Sequence, residues 1–463
     1  MSRDKGWYLA QAVFILAAGL GVGLLLISTR WGAGIGGDAT IYISSARNLL
    51  HGPGLGLVGP RGEFRLLPYF PPFYPLVLSV LGLLGLEIVS AAHWLNMLLF
   101  AALVWLVGNV TYQFSRSLAW GMAAAMLLLF SPVLIPVYSW AMSEPLAIWL
   151  GFLGLLLLLN YLNGEDKRRV MVASAVITGL GLLTRYANLA FLLTGGILLL
   201  GFSAQAWRRR VIDALIYSAA GIAPLAAWVM YDLNQTATVA SRSLESGIAE
   251  RVAKLLPTLG EVFLFWIIPD SWAARLPATE ILLPGVVLLG ISGLALWGFL
   301  AVRGKRVASQ SSQLDEGLRR LAIVLAVFSA VYLIVISAVY ITTYPPITIA
   351  SRMLSPVYIG VFWLAVLLAI LSVRRMRQTS RLNQALLLGF TLFILWSGWR
   401  TVRIVQQNYE LGIGFSAPVW RESPTLAAVQ SLPKDTLIVT NEEMAVLYLT
   451  GRATYPLAEI YFD

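Results

Sequence analysis

Two carboxylic acids and two arginines occupy positions in this sequence from which they could do chemistry together. Asp38 follows Gly36 and Gly37 and opens a stretch of helical periodicity ending near Gly52. A short acid there suits a helix N-cap, where its oxygen takes up an orphan backbone N–H. It also suits a general base, a carboxylate that accepts the proton of a substrate hydroxyl from a glycine-rich backbone. Glu144 lies between Ser143 and Pro145, which read as a cap and a first-turn proline. It either complements the positive pole of that helix or supplies a second acid to the cavity of Asp38. Arg185 and Arg352 stand at the ends of long apolar runs. Ionisable groups at such depth are costly and usually functional, and a guanidinium fork matches phosphate oxygens in pairs. The alternative for both is snorkelling toward lipid headgroups.

The elements that must carry these residues follow from composition. Of 463 residues, 58% are hydrophobic and 12% charged, with a mean hydropathy of +0.77. Soluble domains carry roughly 25% charged residues, so this chain has too little polar surface to cover itself in water. The apolar residues fall in blocks of about 20, the length that crosses hydrocarbon. The fold class expected is an all-α polytopic membrane protein of about 11 transmembrane helices, up to about 13, at 7–28, 92–113, 118–137, 145–162, 170–185, 188–203, 211–230, 280–302, 321–340, 353–373 and 384–399. The first run exceeds a signal-peptide core and reads as a retained span.

Net charge is +10, which the distribution of Lys and Arg assigns to membrane orientation, not to nucleic acid. The basic clusters are Arg3 and Lys5, Arg116, Lys167 to Arg169, Arg208 to Arg210, Arg303 to Arg306 with Arg319 and Arg320, and Arg374 to Arg381. With these spans all fall on one side, and the Lys/Arg bias makes that side cytoplasmic. The apolar run from Leu76 to Leu86 would upset this pattern as a span. At about a dozen residues behind Pro71, Pro72 and Pro75 it is expected as an interfacial helix on the outer face.

A transmembrane domain of residues 1–399 is therefore expected, with a large first outer loop at 29–91 and a second at 231–279, followed by a small α/β extracytoplasmic segment at 400–463. In the tail, Pro424 to Leu432 reads as a helix, Thr436 to Thr440 as a strand, and Glu442 to Leu449 as a helix stopped by Gly451. These bury too little to fold alone, so they either pack on the membrane body or begin a larger soluble domain. Glu245, Glu250, Arg251 and Lys254 suit one face of an amphipathic helix in the second loop.

With no cysteine and two histidines, His51 and His93, disulfides, thiol nucleophiles and multi-histidine metal centres are not expected. There is no phosphate-binding glycine loop, dinucleotide fingerprint or nucleophile elbow. His51 is the one histidine in an outer loop.

Gly36, Gly37 and Asp38 with Tyr42 and Arg47 following, then Pro71 to Pro75 before an interfacial helix, Ser143 and Glu144 at a span mouth, Ser351 to Pro356, and Thr440 to Arg452 in the tail together resemble the GT-C superfamily of membrane glycosyltransferases. Within it the resemblance is to the group of protein O-mannosyltransferases and the bacterial lipid A aminoarabinose transferase. One departure is Ala39, where many relatives carry a second acid beside the first-loop aspartate. The resemblance implies a multi-pass plasma-membrane enzyme with a cytoplasmic N-terminus and an extracytoplasmic C-terminal segment. It would move a sugar from polyprenyl phosphate to an outer lipid, glycan or protein acceptor with inversion. Asp38 would be the base, Arg352 with Arg185 or Arg47 would hold the leaving phosphate, and Glu144 would orient a hydroxyl or assist Asp38. Tyr42 joins the substrate-binding set; no cofactor or metal is indicated. Two other readings remain at this stage: a lipid-linked glycan ligase or polymerase with a pyrophosphate donor, leaning on the outer arginines and His51, and a transporter without bond chemistry.

Overall fold

Apolar runs of helical length, punctuated by glycine, proline and charge, set the architecture. The computed structural model describes residues 2–60, 62–66, 70–164, 167–236, 243–244, 248–273, 310–344, 347–375, 379–433 and 435–457. In order they form α1 (Ser2–Ser28), α2 (Gly37–His51), a hairpin of β1 (Gly56–Val58) and β2 (Phe64–Leu66), α3 (Phe73–Leu83), α4 (Ile88–Ser115), α5 (Leu118–Leu129), α6 (Leu134–Ser139), α7 (Glu144–Leu162), α8 (Arg168–Leu182), α9 (Leu189–Phe202), α10 (Trp207–Thr236), β3 (Ser243–Leu244), α11 (Ile248–Ile267) and α12 (Asp270–Ala273). Then come α13 (Gln310–Thr342), β4 (Thr343–Tyr344), α14 (Ser355–Arg375), α15 (Thr379–Leu411), α16 (Pro418–Arg421), α17 (Pro424–Ser431), β5 (Val439–Thr440), α18 (Glu443–Thr450) and β6 (Tyr455–Pro456). β1 pairs antiparallel with β2, β3 with β4, and β5 runs parallel to β6.

Among the described residues, seven helices are long and apolar enough to cross a membrane, and the chain is an integral membrane protein. The expected spans at 92–113, 145–162, 188–203, 211–230, 321–340 and 353–373 each fall on one helix. The last expected span continues as α15 to Leu411, past residue 399. The span at 280–302 and the cluster at 303–306 lie outside the described residues. One expectation needs correction: 118–137 is not a single helix. Pro132 lacks an N–H to continue the ladder, so α5 stops, and Ser131 Oγ accepts the Val133 and Leu134 amides at 3.2 and 3.0 Å before α6 begins.

α1 packs on α4, α4 on α5, α7 on α8, α8 and α9 on α10, α13 on α14 and α9, and α15 on α1 and α5. Rings from four helices meet inside, with Phe152 5.4 Å from Phe191 and 5.3 Å from Phe328, and Trp363 beside them. Described residues of the basic clusters gather at one end of this bundle. Arg374 ion-pairs with Asp315 and donates to Ser115 O. Arg320 donates to Leu162 O. Arg168 and the Tyr161 hydroxyl both reach buried Asp213.

The opposite end carries the loops. α3 is the short helix expected beside the membrane; it buries Tyr74, Pro75, Leu78 and Ser79 and leaves Val80 and Leu83 exposed. The amphipathic helix of the second loop is α11, with Lys254 on Glu250 at 2.6 Å and Phe263 and Trp266 buried; Arg242 and Glu245 lie outside the described residues. The tail contains the expected helices and strand, and Gly451 ends α18 in the left-handed region at φ 70°. Buried Ala445 and Val446 belong to α18, which rests on α2.

Candidate active site

Asp38 is held by a junction of three distant segments. The backbone at Gly34 pairs with Trp140 and that at Ile35 with Gly414. Gly34 N donates to Ser139 O, Ala141 N to Gly34 O, and Phe415 N to Ile35 O, at 2.9, 2.9 and 2.8 Å. Ser416 Oγ donates to Ala33 O at 2.6 Å. The glycines serve close approach more than flexibility. A Cβ at Gly34 would stand 2.6 Å from Ile413 Cγ2 and 2.8 Å from the Trp140 ring, and one at Gly36 would stand 2.8 Å from that ring. The helix α2 starts at Gly37 with Gly36 as N-cap and no side-chain cap. The expected capping role of Asp38 is therefore absent: it sits inside the first turn, and its carboxylate turns to Arg352.

Glu144 begins α7. Its neighbour Ser143 occupies the N-cap without capping, because its hydroxyl instead donates to the Tyr42 hydroxyl at 3.1 Å and accepts from Arg185 Nη1 at 3.2 Å. The loop before it is shaped by Asn96 of α4, whose Nδ2 donates to Trp140 O at 2.7 Å. Arg185 lies in the turn between α8 and α9, and Asn188 anchors that turn by donating from Nδ2 to Ala147 O at 2.7 Å. Arg352 lies in the turn before α14, where Met353 O accepts from the Tyr332 hydroxyl at 3.0 Å and Ser355 Oγ donates to Arg352 O at 2.7 Å.

These turns bring four charges together. Arg352 Nη2 is 3.3 Å from Asp38 Oδ2 and its Nε is 3.1 Å from Glu144 Oε1. Arg185 Nη1 is 3.0 Å from Glu144 Oε2. The Glu144 side chain is 4% exposed, against 38% for Asp38 and 39% for Arg352. A buried carboxylate thus orients two guanidiniums, one of which also reaches Asp38. Burial is the largest single influence on Arg185 and works against its charge, but Glu144, Tyr42, Tyr332 and Asp38 together outweigh it and hold the guanidinium above its ordinary range. Burial pushes the Tyr42 hydroxyl up to about 12, more than the Arg185 charge and the Ser143 hydrogen bond lower it, so Tyr42 is a neutral hydrogen-bonding group at neutral pH. The cavity among Glu144, Arg185, Asn188, Tyr332 and Arg352 measures about 10 Å³, room for about one water.

Asp38, Glu144, Arg185, Arg352 and Tyr42 are therefore one constellation, while Arg47 and His51 are not part of it. Arg47 Nη2 pairs with Glu87 at 2.7 Å, and both Arg47 and His51 line a separate groove. Sequence reasoning missed Asn96, Asn188, Tyr332 and Met142, whose Sδ lies 3.7 Å from Arg352 Nη1. Asn96 carried a signal, an amide inside an apolar span; Met142 carried none. The two carboxylates do not fit a divalent cation. Both already pair with guanidiniums that would repel it, and no third His, Asp or Glu converges on them among the described residues.

No protein-family model matches the chain, and no curated protein matches it. Solved structures do. The oligosaccharyltransferase of Archaeoglobus fulgidus, in a complex with zinc and sulfate, is 12% identical over 96% of this chain and 62% of its own, with a TM-score of 0.54. The same organism's oligosaccharyltransferase tethered to an acceptor peptide is 15% identical over 97% of this chain, with a TM-score of 0.51; the present chain spans 64% of that length. ArnT of Cupriavidus metallidurans bound to undecaprenyl phosphate is 14% identical over 96% of this chain and 90% of its own, with a TM-score of 0.51. The likeness to both is one of fold, and this chain has the GT-C fold.

Proposed function

We propose that the protein is a membrane glycosyltransferase that moves a sugar from polyprenyl phosphate to an acceptor hydroxyl or amide at the outer membrane face, with inversion at the anomeric carbon. The observation that carries this reading is the contact between Asp38 and Arg352, 314 residues apart, with Glu144 holding Arg352 and Arg185 together. One undecaprenyl phosphate complex of ArnT and a dolichol-phosphate complex of AglB from Archaeoglobus fulgidus support a phosphate-bearing polyprenyl donor.

In this mechanism the donor phosphate takes the guanidinium edges of Arg352 and Arg185, and Arg352 turns from Asp38 toward it. The released carboxylate accepts the proton of the acceptor group. The acceptor oxygen or nitrogen forms its bond to the anomeric carbon as the bond from that carbon to the phosphate oxygen breaks. The bonding pair leaves with polyprenyl phosphate, and the added negative charge falls beside the two guanidiniums that hold it. Glu144 stays ionised between the arginines and keeps their geometry. Since the basic clusters mark the far end of the bundle, the Lys/Arg bias puts the N-terminus in the cytoplasm and Asp38 with the C-terminal segment outside, at the plasma membrane. His51 stands in the groove of Arg47, away from the two site arginines, which disfavours a mechanism that uses it beside them.

The test is release of polyprenyl phosphate by purified protein from a panel of polyprenyl-phosphate sugars. Asp38→Asn should lower transfer at least about 100-fold, the scale of a lost general base, with an unchanged melting temperature. Full activity in that variant would remove Asp38 from the mechanism.

A further inference from the structure

A second site lies on the same helix as Asp38 and takes no part in the chemistry above. The outer corner where α2, α3 and α4 meet encloses a groove of about 370 Å³, lined by Arg47, Leu50, His51, Gly82, Leu86 and Glu87 among others. Arg47 and His51 are four residues apart on α2, a spacing that puts them on one face. Glu87 caps α4 by accepting the Ser90 amide at 2.9 Å on one oxygen and binds Arg47 Nη2 on the other. Each Glu87 oxygen is thus engaged once, and Arg47 Nε and Nη1 and both imidazole nitrogens of His51 have no protein partner among the described residues. The groove thus presents an oriented, half-free guanidinium and an imidazole to an anion. Its rim is apolar and outward: Leu83 and Leu84 are 75% and 76% exposed, Val80 and Leu86 are exposed beside them, and Trp94 and Leu98 continue the exposed face down α4. In a membrane protein such a face meets acyl chains, with the aromatic ring at headgroup level.

We propose that this groove binds the headgroup of an anionic phosphodiester lipid, its phosphate on Arg47 and His51 and its chains along α3 and the outer face of α4. The site stands about 14 Å along the α2 axis from Asp38, at 1.5 Å per residue. It is independent of the glycosyltransferase reading and survives or fails without it. A lipid seated there braces α2 against α3 and α4.

The experiment measures binding of short-chain phosphatidylglycerol to the full chain in detergent. Short-chain phosphatidylcholine and inorganic phosphate are the comparison probes, and Arg47→Gln, His51→Ala and Arg352→Gln the variants. Phosphatidylglycerol should bind best. Arg47→Gln should weaken it about tenfold or more, the scale of a lost charge-assisted hydrogen bond; His51→Ala should weaken it a few-fold; Arg352→Gln should leave it unchanged. Equal binding by wild type and Arg47→Gln overturns the site, and so does loss of binding in Arg352→Gln, which would place the lipid at the other arginines. Inorganic phosphate binding as tightly as the lipid overturns the role of the apolar rim. If Arg47→Gln fails to fold, His51→Ala, an exposed side chain, decides the matter.

Discussion

Glu144 is the residue whose removal has the most distinctive consequence. Its carboxylate is 4% exposed and contacts Arg185 at 3.0 Å and Arg352 at 3.1 Å. Two unit charges about 4 Å apart interact by about 4 kcal/mol at an effective dielectric constant of about 20. The Arg352 pair is partly solvated and counts for about 1 kcal/mol at most. Arg185 is 19% exposed, so Glu144→Gln leaves a mostly buried cation uncompensated, at a cost of about 3–5 kcal/mol. At about 2 °C per kcal/mol for a large chain, thermal unfolding of the detergent-purified protein, followed by tryptophan fluorescence, should start about 6–10 °C lower. In Glu144→Gln/Arg185→Gln both charges are gone and two amides share the space, so the double variant should melt higher than Glu144→Gln alone. A single variant that melts like wild type would refute the argument that the carboxylate organises the arginines, and so would a double variant that loses the sum of the two singles.

Arg352→Lys keeps a cation but loses the fork that reaches Asp38 and Glu144 together; turnover of polyprenyl-phosphate sugar should fall about 100-fold, with donor KM rising, and unchanged donor KM would argue against phosphate contact. Gly414→Ala places a Cβ 2.0 Å from Ile35 O at a residue with φ +53°; the junction should open, and limited proteolysis near residue 412 should accelerate, whereas Gly37→Ala, with open space around its Cβ, should be neutral there. Burial raises the carboxyl of Glu87, but the Ser90 amide and Arg47 outweigh it and hold it below the usual carboxylate value. The stability it lends is therefore present above that ordinary value and lost as pH falls through the lowered one. Acid melting curves of Glu87→Gln should lack this component, and curves parallel to wild type down to the lowest pH would count against the link.

Much of this architecture was readable from residue types. Apolar runs placed α4, α7, α9, α13 and α14 because lipid demands long unbroken helices, and the proline cluster at Pro71, Pro72 and Pro75 marked the start of the short α3. That Asp38 and Arg352 lie on one outer face was expected from the span orientation and the family resemblance; that they pair directly was not. The sequence did not reveal why Gly34 and Gly36 precede Asp38, since the Trp140 ring that fills their space lies a hundred residues away. It also suggested one substrate set that included Arg47 and His51. Their place on the far turns of α2, beside Glu87, depends on how α3 and α4 fold back, which no local pattern encodes. The break at Ser131 and Pro132 was legible as chemistry but was outweighed by the continuous apolar run around it.

The junction around Ile35 also has a temporal meaning. Ser416 donates to Ala33 across 383 residues, so the backbone that leads into Asp38 finds this partner only after all of those residues have left the ribosome. During synthesis the first helices must wait in the bilayer with that segment unzipped. The junction then closes late, as a stitch, and a chain released before Phe415 would hold its first helices in the bilayer with the Ile35 carbonyl lacking this partner.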